Sequence, residues 1–241
     1  LTRSSAASDV YKRQDRYKFK EGMTETNRKY AAMVESIDDC MRDMLAELQK
    51  LGIDEKTLII FTSDNGGLDR NGNPTENAPL RSGKGYCYEG GIRVPFLVRW
   101  PAAIPPGVVS DAPVSSIDLF PSILEATGTQ LPRDRPIDGL SLIQHLRSEA
   151  TKSLGRESLF WHFPHYRHAP GPYSIIRKRN WKLIKFWEGI YELYDLDKDL
   201  GETKNLADLM PEVVRELEQE LLARLRKDEA KLPRPNPEFQ K

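Results

Sequence analysis

Residues 57–67 read T-L-I-I-F-T-S-D-N-G-G, and residues 81–100 read R-S-G-K-G-Y-C-Y-E-G-G-I-R-V-P-F-L-V-R-W. Leu58 to Phe61 form a short unbroken apolar run, the pattern of a strand buried on both faces. The run stops at Asp64, Asn65, Gly66 and Gly67. In open α/β sheets ligands bind just beyond the carboxyl ends of strands. A carboxylate and an amide oxygen placed there suit a hard cation such as Ca²⁺ or Mg²⁺. The two glycines can take φ > 0, which lets backbone approach a ligand closely. Lys84 sits between Gly83 and Gly85, so its ammonium can extend from an unobstructed loop toward an anion. Val94 to Trp100 reads as a second buried strand, with Pro95 near its start, where a missing N–H is tolerated.

T-S-D-N-G, followed by G-K-G and E-G-G-I-R-V-P, resembles the sulfatase family of the alkaline-phosphatase-like superfamily, of the formylglycine-dependent arylsulfatase type. The similarity runs over roughly residues 24 to 232. It implies that Asp64 and Asn65 are the last two ligands of one Ca²⁺ ion, and that Lys84 is a catalytic residue contacting the substrate sulfate. It also implies a fold of the α/β class: part of an alkaline-phosphatase-like sheet-and-helix sandwich, followed by a small α+β domain with an antiparallel sheet and a terminal helix. The family's nucleophile is a formylglycine made from the Cys of a C-x-P-S-R type motif. The two cysteines here, Cys40 in C-M-R-D-M and Cys87 in C-Y-E-G-G, do not match it. The Asp pair that supplies the first metal ligands and a G-K-W-H type motif are not found either. The chain therefore resembles the C-terminal portion of a sulfatase, with the nucleophile expected in an upstream half and the isolated chain expected to be inactive. By resemblance the substrate is a sulfate ester, a sulfated glycan or an aryl sulfate, and the enzyme is periplasmic or secreted. No signal peptide is visible.

With 241 residues, 36 basic and 36 acidic, the net charge is zero. That offers no electrostatic reason for nucleic acid or an anionic membrane as partner. No apolar run approaches the ~20 residues of a membrane helix. Two cysteines far apart do not define a disulfide framework.

Three regions are expected. Residues 1–14 lack any helical or strand period and read as a non-native or disordered leader. Residues 15–150 read as the C-terminal part of the catalytic domain, and 151–241 as the small C-terminal subdomain. Residues 24–51 predict a helix with Met33, Ile37, Met41, Met44, Leu48 and Leu51 on a core-facing stripe, Thr24 or Thr26 as cap and Gly52 as stop. Asp38, Asp39 and Asp43 fall off that stripe, on a solvated face. Residues 68–80 read as a loop, at the active-site mouth in the sulfatase reading. Arg93 is expected to pair with Glu89. Arg81 is compatible with either a substrate contact or a structural role. After a Pro-rich connection over 101–114, Ser115 or Ser116 caps a short helix expected to bury Ile117, Phe120, Ile123 and Leu124, with Gly128 ending it.

From Ser158 onward, short aromatic and β-branched runs separated by turn residues predict a small antiparallel sheet. Asp195, Asp197 and Asp199 fail the EF-hand pattern, because Leu200 and Leu206 occupy the places of the required Gly and Glu. Pro211 opens a final helix with Val214, Leu217, Leu221 and Leu225 on one side, acidic at its start and basic at its end. Of the clustered His162, His165 and His168, the first two are candidates for the rim of the sulfate pocket in the sulfatase reading, with a surface or structural role as the other reading. Pro164 and the lack of a nearby cysteine argue against zinc. Two rival readings stand beside the sulfatase: a phosphoester or phosphonate hydrolase of the same superfamily, and a non-catalytic remnant.

Overall fold

The computed structural model describes residues 13–18, 21–69, 72–168 and 170–234; all but the last two residues of the expected leader lie outside them. The chain divides into two compact units. One takes the chain up to Thr62 with Gly67–Glu76 and Pro95–Gly107; the other takes Ser63–Gly66, Asn77–Val94 and the chain from Val108 onward.

The first unit contains α1 (Glu25–Lys50), β1 (Ile59–Thr62) and β2 (Phe96–Arg99). Thr24 caps α1, its side chain accepting from the Asn27 N–H, and Gly52 leaves the helix at φ +69°. Arg13 and Arg42 both pair with Asp39, while Asp38 and Asp43 are exposed, so the acidic face is a solvated, ion-paired one. Two expectations are corrected here. Met33, Ile37, Met44 and Leu51 of the supposed core stripe are exposed, and Ala32 is the buried residue of α1. The two strands form an antiparallel pair, Ile59 opposite Arg99 and Thr62 opposite Phe96, and are not buried on both faces: Phe61 and Leu97 are exposed. The physical reason is simple: among the described residues this sheet has just two strands, too few to enclose a continuous apolar run. An Arg99–Asp54 ion pair at 3.2 Å and the Ala102 N–H to Glu55 carbonyl bond brace the ribbon.

The second unit is built on an antiparallel meander of β3 (Ser158–Phe163), β4 (Tyr173–Lys178), β5 (Trp181–Phe186) and β6 (Tyr191–Asp195), hydrogen-bonded in that order. Strand alternation sends Ile176, Leu183 and Leu193 to one face, where they meet Leu217, Leu221 and Leu225. These three leucines lie on α5 (Pro211–Lys227), which starts with Pro211 and ends in Arg224, Arg226 and Lys227. Each fully buried leucine contributes about 1.5–3 kcal/mol. The opposite face sends Ile175, Ile184, Phe186 and Tyr194 against Cys87 and Tyr88. A four-stranded sheet covered on both sides is thereby anchored to the segment that carries Lys84.

Between these lie α2 (Glu89–Ile92), α3 (Leu119–Ala126) and α4 (Ile143–Arg147). Ser115 caps the turn into α3 through a capping box with Asp118. The apolar side of α3 departs from expectation: Ile117, Phe120 and Ile123 are exposed, whereas Pro121 and Ser122 are buried. The hub here is polar. Fully buried Asp118 accepts from the Ser115 and Leu140 N–H groups and pairs with Arg156 through both carboxylate oxygens. His145 is buried in α4 and hydrogen-bonds Ser110 Oγ at 2.7 Å and the Lys152 carbonyl.

The two cysteines differ in a way that chemistry can read. Cys40 is exposed, whereas burial pushes the Cys87 thiol up to about 12. The thiolate is the reactive form, so at pH 8 iodoacetamide should modify Cys87 on the order of a thousandfold more slowly than an ordinary thiol. Intact mass should show one added label on the native chain and two in guanidinium; two labels without denaturant would contradict the packing of Cys87.

Candidate active site

Asp64 follows β1 by two residues and is exposed; Asn65 is half-buried and Gly66 buried. The Ser63 hydroxyl donates to the Asn65 carbonyl at 2.9 Å, and Asn65 Nδ2 donates to the Gly66 carbonyl at 3.1 Å. That bond uses the amide's donor end and leaves Oδ1 as an acceptor. Gly66 donates its N–H to the Gly91 carbonyl at 3.1 Å. Its glycine identity serves close approach and not the φ > 0 expected: a Cβ at Gly66 would lie 1.7 Å from the Gly90 carbonyl oxygen.

The Lys84 loop meets the same two glycines. The Gly90 N–H donates to the Arg81 carbonyl at 2.9 Å, and the Tyr86 N–H to the Gly83 carbonyl at 3.0 Å. A Cβ on Gly90 would lie 2.1 Å from the Ser82 carbonyl oxygen; one on Gly91 would lie 2.2 Å from that of Tyr86 and 2.6 Å from that of Gly83. Ser82 holds φ +59° and Gly85 φ +93°, so Lys84 stands exposed between two left-handed positions. The strain at Ser82 is held by Asn77, whose Nδ2 donates to the Ser82 carbonyl at 2.9 Å. The structure therefore stacks the backbone that follows Asp64–Asn65 and the backbone that flanks Lys84 on one tight turn, Gly90–Gly91.

That turn is fastened from below by buried charge. Lys182 on β5, Glu89 at the start of α2 and Glu202 are all at most 2% exposed. Lys182 Nζ lies 3.0 Å from Glu89 Oε1 and 2.7 Å from Glu202 Oε1. Arg177 approaches Glu89 at 3.8 Å. Burial pushes the Glu202 carboxyl above its ordinary value, opposed by the Lys182 ammonium. Breaking such a cluster by removing one partner costs about 3–5 kcal/mol, because a charge is left buried. The expected Glu89–Arg93 pair is corrected by this arrangement: Lys182 and Arg177 take the Glu89 carboxylate, and Arg93 is exposed.

The remaining sequence candidates separate. The Arg81 guanidinium lies 3.7 Å over the Tyr88 ring and donates to Tyr194 Oη at 2.8 Å and the Glu202 carbonyl at 3.0 Å. His162 lies on the sheet face opposite to the one that packs on Cys87 and Tyr88. It shares the α5-facing side of the sheet with Ser174: Nε2 donates to the Lys231 carbonyl at 3.0 Å, so Nδ1 accepts from Ser174 Oγ at 2.7 Å. Both ring nitrogens are thus in use. His165 is exposed, edge-on to Phe163 at 5.1 Å, and lines a small hollow with Gly85, Tyr86, Arg167 and His168. His168 stacks on Tyr86 at 4.4 Å, and Arg167 reaches to within 3.2 Å of where a Gly85 Cβ would stand.

Asp64 and Asn65 fit a Ca²⁺ ion by donor chemistry, one carboxylate and one free amide oxygen, but only as part of a shell of about 6–8 oxygens. Among the described residues no group of three or more His, Cys, Asp or Glu side chains could hold a metal by itself. Residues that motif reading passed over are Gly90 and Gly91 as the shared seat, Lys182 and Glu202 beneath it, and Arg167 beside it. Alternation along β5 puts Lys182 with Ile184 and Phe186 and Lys185 with Trp181 and Leu183, so the order of residues does not tell which lysine is buried; the structure buries Lys182.

A family model described as Sulfatase matches residues 5–129, and one described as N-sulphoglucosamine sulphohydrolase, C-terminal, matches residues 82–231. A curated sulfatase of Formosa agariphila is 38% identical over 211 residues, 79% of this chain and 38% of that protein. Among solved structures, Ps i-CgsB in complex with k-i-k-neocarrahexaose superposes with a TM-score of 0.75 at 26% identity, over 90% of this chain and 46% of that one. BT4656, in complex with its substrate D-glucosamine-2-N,6-O-disulfate, gives 0.69 at 27%, over 84% of this chain and 41% of that one. A phosphonate monoester hydrolase of Agrobacterium radiobacter gives 0.64 at 27%, over 86% and 43%. The chain thus spans less than half the length of these relatives. The family models and the sulfatase relatives agree along both units, and the chain belongs to the sulfatase family.

Proposed function

We propose that this chain forms the C-terminal part of a Ca²⁺-dependent sulfuric ester hydrolase acting on sulfate esters of sulfated glycans or aryl sulfates. The observation that carries the proposal is the shared seat: Gly66, one residue past Asn65, and Gly83, one residue before Lys84, both pack on Gly91. In this reading Asp64 and Asn65 Oδ1 hold part of the Ca²⁺ shell. When bound, the ion supplies fixed positive charge that offsets charge on a transferring oxyanion group. Lys84 neutralises sulfate oxygens from the adjoining loop. His165 and Arg167, beside Gly85, place further cationic or donor groups at the rim. Arg81 holds its own loop through Tyr194 and Glu202, a structural task. The formylglycine nucleophile and the remaining metal ligands belong to an upstream half.

The substrate of BT4656 is a sulfated sugar, and this supports the glycan assignment. A periplasmic or secreted enzyme fits the same reading; among the described residues no helix is long and apolar enough to cross a membrane. The phosphonate monoester hydrolase shares the fold, but D-N-G-G and G-K-G carry no histidine to serve a transition metal, which favours the sulfatase.

Two side chains cannot complete a Ca²⁺ shell. The purified chain, assayed with 4-nitrophenyl sulfate and millimolar Ca²⁺, is therefore expected to show no turnover above buffer and only weak Ca²⁺ binding by calorimetry. Turnover by the chain alone would overturn the assignment of the nucleophile to an upstream half. Recovery of the upstream coding sequence is the second check: a C-x-P-S-R motif supports the sulfatase, and a Ser or Thr in its place supports the phosphoester reading.

A further inference from the structure

Glu202 is a non-glycine residue at φ +52° and fully buried, with both backbone groups and one carboxylate oxygen hydrogen-bonded and the other oxygen against an ammonium. Its N–H donates to the Asp199 carbonyl at 3.1 Å, and its carbonyl accepts from Arg81 at 3.0 Å. Oε2 accepts from the Glu89 N–H at 2.6 Å, and Oε1 faces Lys182 at 2.7 Å. A left-handed carboxylate-bearing residue persists only where its surroundings over-determine it, and such positions gather at functional sites. Packing alone does not require the cluster: apolar side chains of similar volume fill such sites at equal or better stability. What the cluster adds is direction. Glu202 grips the segment from Arg81 to Gly91 at two points, Arg81 through its backbone carbonyl and the Glu89 N–H through its carboxylate, and that segment contains Lys84 and the Gly90–Gly91 seat of the Asp64–Asn65 loop.

We propose that Glu202, held by Lys182, is a positioning residue that sets the Lys84 loop against the Asp64–Asn65 loop. The functional half of this statement rests on the reading of those three residues as one site; the mechanical half does not. Its reporters are three amide hydrogen bonds: Gly66 to Gly91, Gly90 to Arg81, and Tyr86 to Gly83.

The test is residue-resolved amide hydrogen exchange on the intact chain, comparing wild type, Glu202→Ala and Glu202→Gln. A positioning role predicts that Glu202→Ala speeds exchange at the Gly66, Tyr86 and Gly90 amides by at least about tenfold more than at amides of β4, β5 and α5. Glu202→Gln keeps the shape and one acceptor, so it should restore most of the protection, leaving a rise of roughly two- to fivefold at the same three amides. A uniform rise across the sheet and α5, or no rise at the three reporters, overturns the proposal. Should Glu202→Ala fail to fold, Glu202→Gln alone decides by the same local-versus-uniform criterion. No substrate or metal enters this measurement. Its failure leaves the sulfatase reading standing, and an upstream sequence without C-x-P-S-R would remove that reading without touching the exchange result.

Discussion

Lys84→Ala, in an enzyme made whole by joining this chain to the upstream half of the Formosa agariphila sulfatase, is expected to lower kcat for an aryl sulfate by about 10²–10³-fold, the usual effect of removing one fixed donor aimed at developing negative charge. The side chain is exposed and its loop is held by backbone contacts on either side, so the loss should not come from unfolding. Lys84→Arg keeps the charge but changes its reach and shape, and should recover only part of the rate. Unfolding curves of the variants should overlay that of the wild type. If Lys84→Ala retained more than about a third of the rate, Lys84 would not be contributing the differential transition-state binding proposed for it.

Gly66→Ala should be the most damaging single methyl in the site. The new Cβ would stand 1.7 Å from the Gly90 carbonyl oxygen, 2.7 Å from its carbon and 3.1 Å from Gly91 Cα, all backbone, so no rotamer change can relieve it. Overpacking of this kind costs about 1–3 kcal/mol and occasionally more, and the seat that must move also holds the Lys84 loop. Gly128→Ala is the control: its φ of +69° makes alanine strained, but nothing lies within 4 Å of the added atom. Its cost should be ~1 kcal/mol. Urea unfolding followed by tryptophan fluorescence measures both. A midpoint for Gly66→Ala no lower than that for Gly128→Ala would mean that the two loops do not share a rigid seat.

The elements that could be read from sequence are those in which neighbours along the chain carry the whole signal. α1 begins at Thr24 and ends before Gly52 because capping and left-handed exit are local devices. The meander from β3 to β6 follows from alternation and turn residues, and α5 from a leucine spacing with Pro211 in front. The residue types at the site were legible for the same reason: D-N-G-G and G-K-G announce oxygen donors and an ammonium on open loops. Where reading failed, the missing information was the partner. Met33 and Ile37 have a helical period, but a period shows that a face is apolar, not that anything covers it. His162 shares the H-F-P-H-Y run with His165, yet strand alternation carries it to the α5 side, where Ser174 and Lys231 claim it.

By itself the sequence determined the local conformations and the chemical inventory of the two loops, because both depend on contacts within a few residues. Only the tertiary structure decided that Gly66, Gly83, Gly90 and Gly91 share one crowded point, that Arg81 belongs to Tyr194 and Glu202, and that a lysine about a hundred residues downstream of the Lys84 loop lies buried beneath it. Those relations join distant parts of the chain through steric exclusion and buried charge. Neither leaves a periodic trace in the order of the amino acids.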